Sequence, residues 1–174
     1  GKPGEVPELL QPALDNNPED IGALSLLANA LLTEGNTDEG IALLTKVAQL
    51  QPGSSLAQVR LGAGLLMAGQ SEQAAERLEA TLALDPSLQQ AEVLLILNHL
   101  QKRELDKAVD AAVAYRNRHP SDVTPHSLLG KVYLANAEPE KAVAALTKAL
   151  QLEPGDPSAN NDLALLALSK DDTV

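Results

Sequence analysis

Apolar residues along this chain recur at the three- and four-residue spacing of helices, in two runs within every 34 residues. Prolines mark the same period, because the residue before a proline is pushed out of the α region and ends a helix. A second break falls between consecutive prolines. The pattern predicts pairs of antiparallel helices repeated along the chain. The prolines are Pro18, Pro52, Pro86, Pro120 and Pro154, and the second breaks are Gly35, Gly69, Arg103 and Ala137.

With the proline at position 32 of each unit, the chain divides into four complete units and a half-unit at either end. Pro7 and Pro12 predict that the first half-unit holds only one short helix, around residues 8–15. The last helix is apolar nearly all round, whereas a terminal capping helix turns a polar face outward, so we expect the native protein to continue past Val174. The predicted organisation is a degenerate half repeat at 1–20, full repeats at 21–54, 55–88, 89–122 and 123–156, and the first helix of a further repeat at 157–174.

The same residue types return at fixed positions of the unit. Leucine holds position 7, small residues hold positions 8 and 20, and proline holds position 32, a pattern that resembles the tetratricopeptide repeat. This resemblance covers nearly the whole chain and implies an all-α fold, a right-handed α-solenoid of helix-turn-helix units. The fourth unit shows the pattern best, with Leu129, Gly130, Tyr133, Ala142, Ala149 and Pro154.

Small residues at position 8 predict a close approach between the two helices of a unit. We expect them to face the small residues at position 20. Unit three departs from this rule with Ile96, and we expect Ala108 and Ala112 to make room for that side chain. The small residues are Ala28, Gly62 and Gly130 at position 8, and Gly40, Ala74 and Ala142 at position 20.

Composition narrows the class of protein. Only 1% of the residues are aromatic, so leucine and alanine must build the core, and both favour helices. A net charge of −11 repels phosphate backbones and anionic lipids, which argues against a nucleic-acid partner. There is no cysteine and no apolar run long enough to insert into a membrane.

The sequence contains no complete catalytic or cofactor-binding motif. The stretch 64–71 follows the spacing of a phosphate-binding loop but carries Gln70 where the phosphate-binding lysine belongs. His99, His119 and His126 share no metal-ligand spacing and are interpreted as packing residues. The sequence therefore predicts a protein that is not an enzyme and that uses no metal or cofactor.

The resemblance also implies a binding groove, because first helices line the concave face of tetratricopeptide arrays through positions 2, 5, 9, 12 and 13. Carried over to this chain, the groove has polar ends and an aliphatic centre and would hold a protein or peptide partner. In the alternative interpretation, the aliphatic centre packs against neighbouring first helices. The predicted groove residues are Ser25, Asn29, Leu56, Val59, Ala63, Leu66, Met67, Gln90, Val93, Leu97, Thr124, Ser127 and Lys131.

A finer resemblance concerns residues 91–120 and the two helical runs that follow. They look like the large tetratricopeptide lipoproteins of bacterial exopolysaccharide and PEP-CTERM sorting systems. The resemblance implies an interaction scaffold in the periplasm, anchored to the outer membrane through a lipidated region outside this sequence. Two alternatives stay open: a cytoplasmic adaptor, and a repeat module that associates with itself through its open ends.

Overall fold

The structure is a computed structural model that describes residues 5–171, and within that range it contains ten helices and no strand. First helices begin at Ile21, Ser55, Gln89 and Val123, which are position 1 of the four units. No helix among these residues is long and apolar enough to cross a membrane. The helices are α1 (Glu5–Asn16), α2 (Ile21–Glu34), α3 (Thr37–Leu50), α4 (Ser55–Met67), α5 (Ser71–Leu84), α6 (Gln89–Gln101), α7 (Leu105–Arg118), α8 (Val123–Ala135), α9 (Pro139–Leu152) and α10 (Pro157–Asp171).

The chain forms two structural units, residues 1–94 and 95–174, and α6 contributes to both. In the first unit, α2 packs on α3, α3 on α4, and α4 on α5. In the second, α7 packs on α8, α8 on α9, and α10 on both α8 and α9. The helices named here thus contact their neighbours in sequence within each unit, as in proteins built from stacked helical repeats.

The break within each repeat is a left-handed residue. Position 15 has φ of 86° at Gly35, 73° at Gly69, 58° at Arg103 and 56° at Ala137. In every case the next residue donates its backbone N–H to a carbonyl five residues earlier, for example Asn36 to Leu31 at 2.8 Å. This is the Schellman arrangement that ends a helix, and glycine accommodates it without strain. Two of the four repeats therefore use a residue that pays a steric penalty there.

The ladder prolines occupy the second position of a tight turn between repeats. The residue before the proline leaves the helical region, with φ of −128° at Gln51 and −139° at Glu153, as predicted. The turn closes with a backbone hydrogen bond of 3.0 to 3.4 Å from the fourth residue to the first. In three of the five turns, at Asp20, Ser54 and Asp156, that fourth residue then caps the next first helix: Asp156 Oδ1 accepts from the N–H of Ala159 at 2.6 Å.

Position 8 packs against position 24, a contact that the sequence did not predict. A Cβ on Gly130 would lie 2.5 Å from Cγ of Leu146, and a Cβ on Gly62 would lie 2.9 Å from Cδ2 of Leu78. In these two units the small residue makes room for a leucine of the second helix. In unit one position 20 also lies against position 8, as predicted, since a Cβ on Gly40 would come within 3.1 Å of the carbonyl oxygen of Ala28. In unit three the sizes are reversed, with Ile96 at position 8 and Ala112 at position 24, both fully buried. Their complete burial agrees with the expected exchange of volume, which stays a prediction.

Helix α1 differs from the prediction because it continues through Pro12. Proline removes one backbone donor from a helix, and the carbonyl of Glu8 loses its partner. Both residues are exposed, so water can satisfy that carbonyl. Pro7 lies in the first turn, where a missing N–H costs little.

Candidate functional site

The predicted groove residues of the first structural unit divide into exposed and buried sets. Leu56 and Met67 of α4 are 50% and 60% exposed, although both are large apolar side chains. Asn29 and Gln90 are also exposed, while Ala63, Leu66 and Val93 are half-buried. We call Leu56, Ala63, Leu66, Met67 and Val93 the aliphatic surface of this unit.

Position 5 is a packing position in three of the four repeats, with Val93 as the exception, which corrects part of the predicted groove. Ser25 is 5% exposed and Val59 only 2%, and Val59 forms a core cluster with Leu78 and Ala91. Its side chain therefore points beneath the next first helix instead of toward a partner. The interpretation of intramolecular packing is correct for Val59 and, in part, for Leu66, which packs against the same cluster.

The second unit contributes Leu97, which is 44% exposed, and the exposed side chains of Thr124 and Lys131. Ser127, again at position 5, is buried, and its hydroxyl donates to Asp156 Oδ1 at 2.9 Å. That carboxylate is the one that caps α10. The hydroxyl of Ser127 thus stabilises the turn before the next helix, and its buried side chain is not accessible to a partner.

The histidines are held by structural partners. His99 is buried, and its Nδ1 lies 2.8 Å from Glu104 Oε2. This hydrogen bond, followed by the one from Lys102 at 3.2 Å, lowers the pKa of Glu104 to about 2. His126 Nε2 donates to the carbonyl of Pro120 at 3.0 Å. Across the described residues no three His, Cys, Asp or Glu side chains form a group that could hold a metal ion.

Comparison with known proteins identifies the family to which these helical repeats belong. Two family profiles, both described as tetratricopeptide repeat, match the chain, the first over residues 1–63 and 31–86 and the second over residues 127–173. The chain belongs to the tetratricopeptide-repeat family. The predicted all-α solenoid of helical repeats is therefore confirmed.

Several solved structures resemble the tetratricopeptide-repeat chain over most of its length. MamA 41-end from Desulfovibrio magneticus RS-1 is 27% identical with a TM-score of 0.72, covering 90% of this chain and 89% of that one. A thermophilic tetratricopeptide-repeat protein of Thermus thermophilus is 22% identical with a TM-score of 0.74, covering 92% and 88%. YrrB, described as having an unusual peptide-binding site, is 19% identical with a TM-score of 0.68, covering 90% and 82%. No curated protein matches the chain.

A second concave feature, which the sequence did not predict, lies among α7, α8 and α9. It is lined in part by His126, Tyr133, Lys141 and Lys148. His126 was interpreted only as a packing residue. One signal was present in the sequence: two lysines seven residues apart lie on the same face of a helix.

Proposed function

We propose that this tetratricopeptide-repeat protein is a non-enzymatic scaffold that binds a peptide or protein segment on its aliphatic surface. The observation that carries the proposal is the exposure of Leu56 and Met67 beside the half-buried Ala63, Leu66 and Val93. Apolar side chains left in contact with water in this way mark interaction sites when they are contiguous. Burying Met67 and Leu56 in a complex would contribute roughly 1–2 kcal/mol each, since both are already half covered.

Family membership supports the same proposal. Tetratricopeptide-repeat proteins act as protein-interaction scaffolds, and one structural relative is described as carrying a peptide-binding site. Asn29 and Gln90 flank the aliphatic surface with exposed amides. Such amides can hydrogen-bond the backbone of an extended peptide, so we expect apolar anchors in the ligand with no strong charge requirement.

The test is peptide selection followed by calorimetry. Peptides are selected from a random library on the purified protein, and their affinities are measured for wild type and for the double variant Leu56→Glu with Met67→Glu. We expect the selected peptides to be rich in apolar residues and the double variant to bind at least tenfold more weakly. Both substituted side chains are exposed, so circular dichroism should show unchanged helicity.

A matched control comes from α5. Leu84 is 88% exposed and lies on a second helix. Leu84→Glu adds the same kind of charge away from the aliphatic surface and should leave the affinities unchanged. Equal binding by wild type and the double variant would refute the assignment of the aliphatic surface.

A second candidate function is self-association, which rests on α10. Leu165 and Leu168 are 57% and 64% exposed on that helix. If this face meets a second copy, sedimentation should show concentration-dependent dimers that disappear in the variant Leu165→Ser with Leu168→Ser. A monomer at every concentration would reject this function and leave the peptide-binding proposal intact.

The cellular setting is also a proposal. We propose the periplasm at the outer membrane, on the resemblance of residues 91–120 to lipoproteins of exopolysaccharide and PEP-CTERM sorting systems. The cytoplasm is the alternative. Fractionation of cells that express the full gene product with a C-terminal tag decides between them, since recovery with cytoplasmic markers would contradict the envelope assignment.

A further inference from the structure

Helices α7, α8 and α9 of the second unit line an open cleft of about 280 Å³. Its floor comes from α8 and includes His126, whose side chain is buried and hydrogen-bonded to Pro120, and the half-buried Tyr133. Its sides carry Arg116 from α7 together with two lysines from α9. We call this feature the basic cleft.

The side chains that line the basic cleft are positively charged, although the chain as a whole is acidic. Arg116, Lys141 and Lys148 line it and no carboxylate does, in a protein with 13 basic and 24 acidic residues. Lys141 is paired with Glu138 and lies 5.5 Å from the ring centre of Tyr133. Lys148 is exposed and forms no hydrogen bond or ion pair with another described residue.

An equivalent cleft in the first unit provides an internal comparison. It has a volume of about 350 Å³, and its lining includes both Glu76 and Arg77. Arg77 reaches across to Gln58, with Nη1 3.3 Å from Oε1. The repeat therefore builds a cleft in both units, but only the second combines a basic lining with small side chains at its centre. The matching positions are Gln73 and Lys141, Glu76 and Ala144, Arg77 and Ala145, and Ala80 and Lys148.

The spacing of the charges selects among anions. Lys141 and Lys148 are seven residues apart on one helix, so their Cα atoms are separated by about 10 Å. Each ammonium group sits on a flexible four-carbon stem, so the two lysines can bind two separate anionic groups at about this spacing. Two carboxylates three residues apart on an extended chain are separated by about 10 Å as well. The half-buried ring of Tyr133 also lines the cleft and offers apolar surface for the stems of such side chains.

We propose that the basic cleft binds an acidic peptide segment of a partner protein, with carboxylates on Lys141 and Lys148 and a third contact to Arg116. The overall charge of −11 does not prevent this, because charges beyond about 10 Å are largely screened at 0.1 M salt. This site is separate from the aliphatic surface and takes a ligand of different chemistry. It therefore stands or fails independently of the proposed function.

The test uses fluorescence anisotropy with two labelled peptides, one carrying glutamates three residues apart around a leucine and the other carrying glutamines in their place. We expect the acidic peptide to bind and the glutamine peptide to bind at least tenfold more weakly. Lys148→Glu should weaken binding of the acidic peptide about fivefold to tenfold. Ala144→Glu, which gives the cleft the residue present in the first unit, should do the same.

Two controls separate this site from the rest of the molecule. Lys131→Glu makes the same charge change on an exposed position of α8 outside the cleft lining, and Leu56→Glu with Met67→Glu disrupts the aliphatic surface. Both should leave the affinity for the acidic peptide unchanged within about twofold.

Several results would overturn the proposal. They are an absence of binding by the acidic peptide, equal binding by Lys148→Glu, and a larger loss with Lys131→Glu than with Lys148→Glu. Displacement of the peptide by an equal concentration of inorganic phosphate would assign the cleft to a phosphate ion instead. Displacement by an oligothymidylate would assign it to nucleic acid.

Discussion

The exchange of volume between positions 8 and 24 leads to a quantitative prediction. Unit four carries Gly130 against Leu146, whereas unit three carries Ile96 and Ala112 at the same positions. Transplanting the second solution into unit four requires Gly130→Ile together with Leu146→Ala. The new pair contains only about one carbon atom more than the old one, and volume-conserving exchanges in cores are tolerated best.

Each single substitution should be costly. A Cβ on Gly130 already comes within 2.5 Å of Leu146, against an ordinary contact of about 3.5–4 Å, so Gly130→Ile should cost about 3 kcal/mol or more. Leu146 is fully buried, and Leu146→Ala leaves a cavity that should cost about 3–4 kcal/mol. If the two effects were independent and simply added, the double variant would lose about 6 kcal/mol of its free energy of unfolding. If the two side chains fill the same space in the core, the double variant should lose only about 1–2 kcal/mol of its free energy of unfolding.

The assay is chemical unfolding followed by circular dichroism for the four members of the double-mutant cycle. We expect a coupling of about 4 kcal/mol in favour of the double variant. Gly155→Ala is the control, because a Cβ there meets no atom within 4 Å. The denaturant concentration at its unfolding midpoint should be nearly that of wild type. If the single costs add to within about 0.5 kcal/mol, the two positions do not share volume and the reasoning is wrong.

Three further predictions follow from local geometry. Ala137→Gly should stabilise the protein by about 0.5–1 kcal/mol because it relieves a positive φ, while Gly69→Ala should destabilise it by about 1 kcal/mol, both measured by thermal unfolding. The pKa of Glu104 is lowered to about 2, so its pairing stabilises the fold above pH 4.5, and this contribution is lost as the pH falls toward 2. In Glu104→Gln the melting temperature should therefore fall less over that pH interval than in wild type. Asp156→Ala removes the cap of α10 and should cost about 1 kcal/mol or more in urea unfolding, whereas Asp122→Ala, which removes no cap hydrogen bond, should cost less.

Structural similarity between the two clefts matters for how such repeats diversify. Stacked repeats give every unit nearly the same surface, so a few substitutions at equivalent positions can create a new site without a change of fold. Here the substitutions at positions 19, 22, 23 and 26 change a mixed-charge cleft into a basic one. Mapping charge by repeat position is therefore a practical way to compare the units of this chain.

The sequence alone determined the number, order and limits of most helices. These features depend on short-range rules: Pro52 ends a helix through its own ring, and Gly35 permits a left-handed residue because it lacks a Cβ. Both rules act within a few residues, so a regular spacing of such residues is sufficient to predict the array. The family followed from the same spacing.

Only the tertiary structure decided which side of each helix meets a neighbour. Val59 and Met67 are both apolar residues of α4, yet one is 2% exposed and the other 60%. The difference comes from Leu78 and Ala91, which belong to other helices and cover Val59. The partner of Gly130 and the residues gathered around the basic cleft were undetermined for the same reason. Burial at a given position depends on the angle and distance at which separate helices pack, and no local pattern encodes these directly.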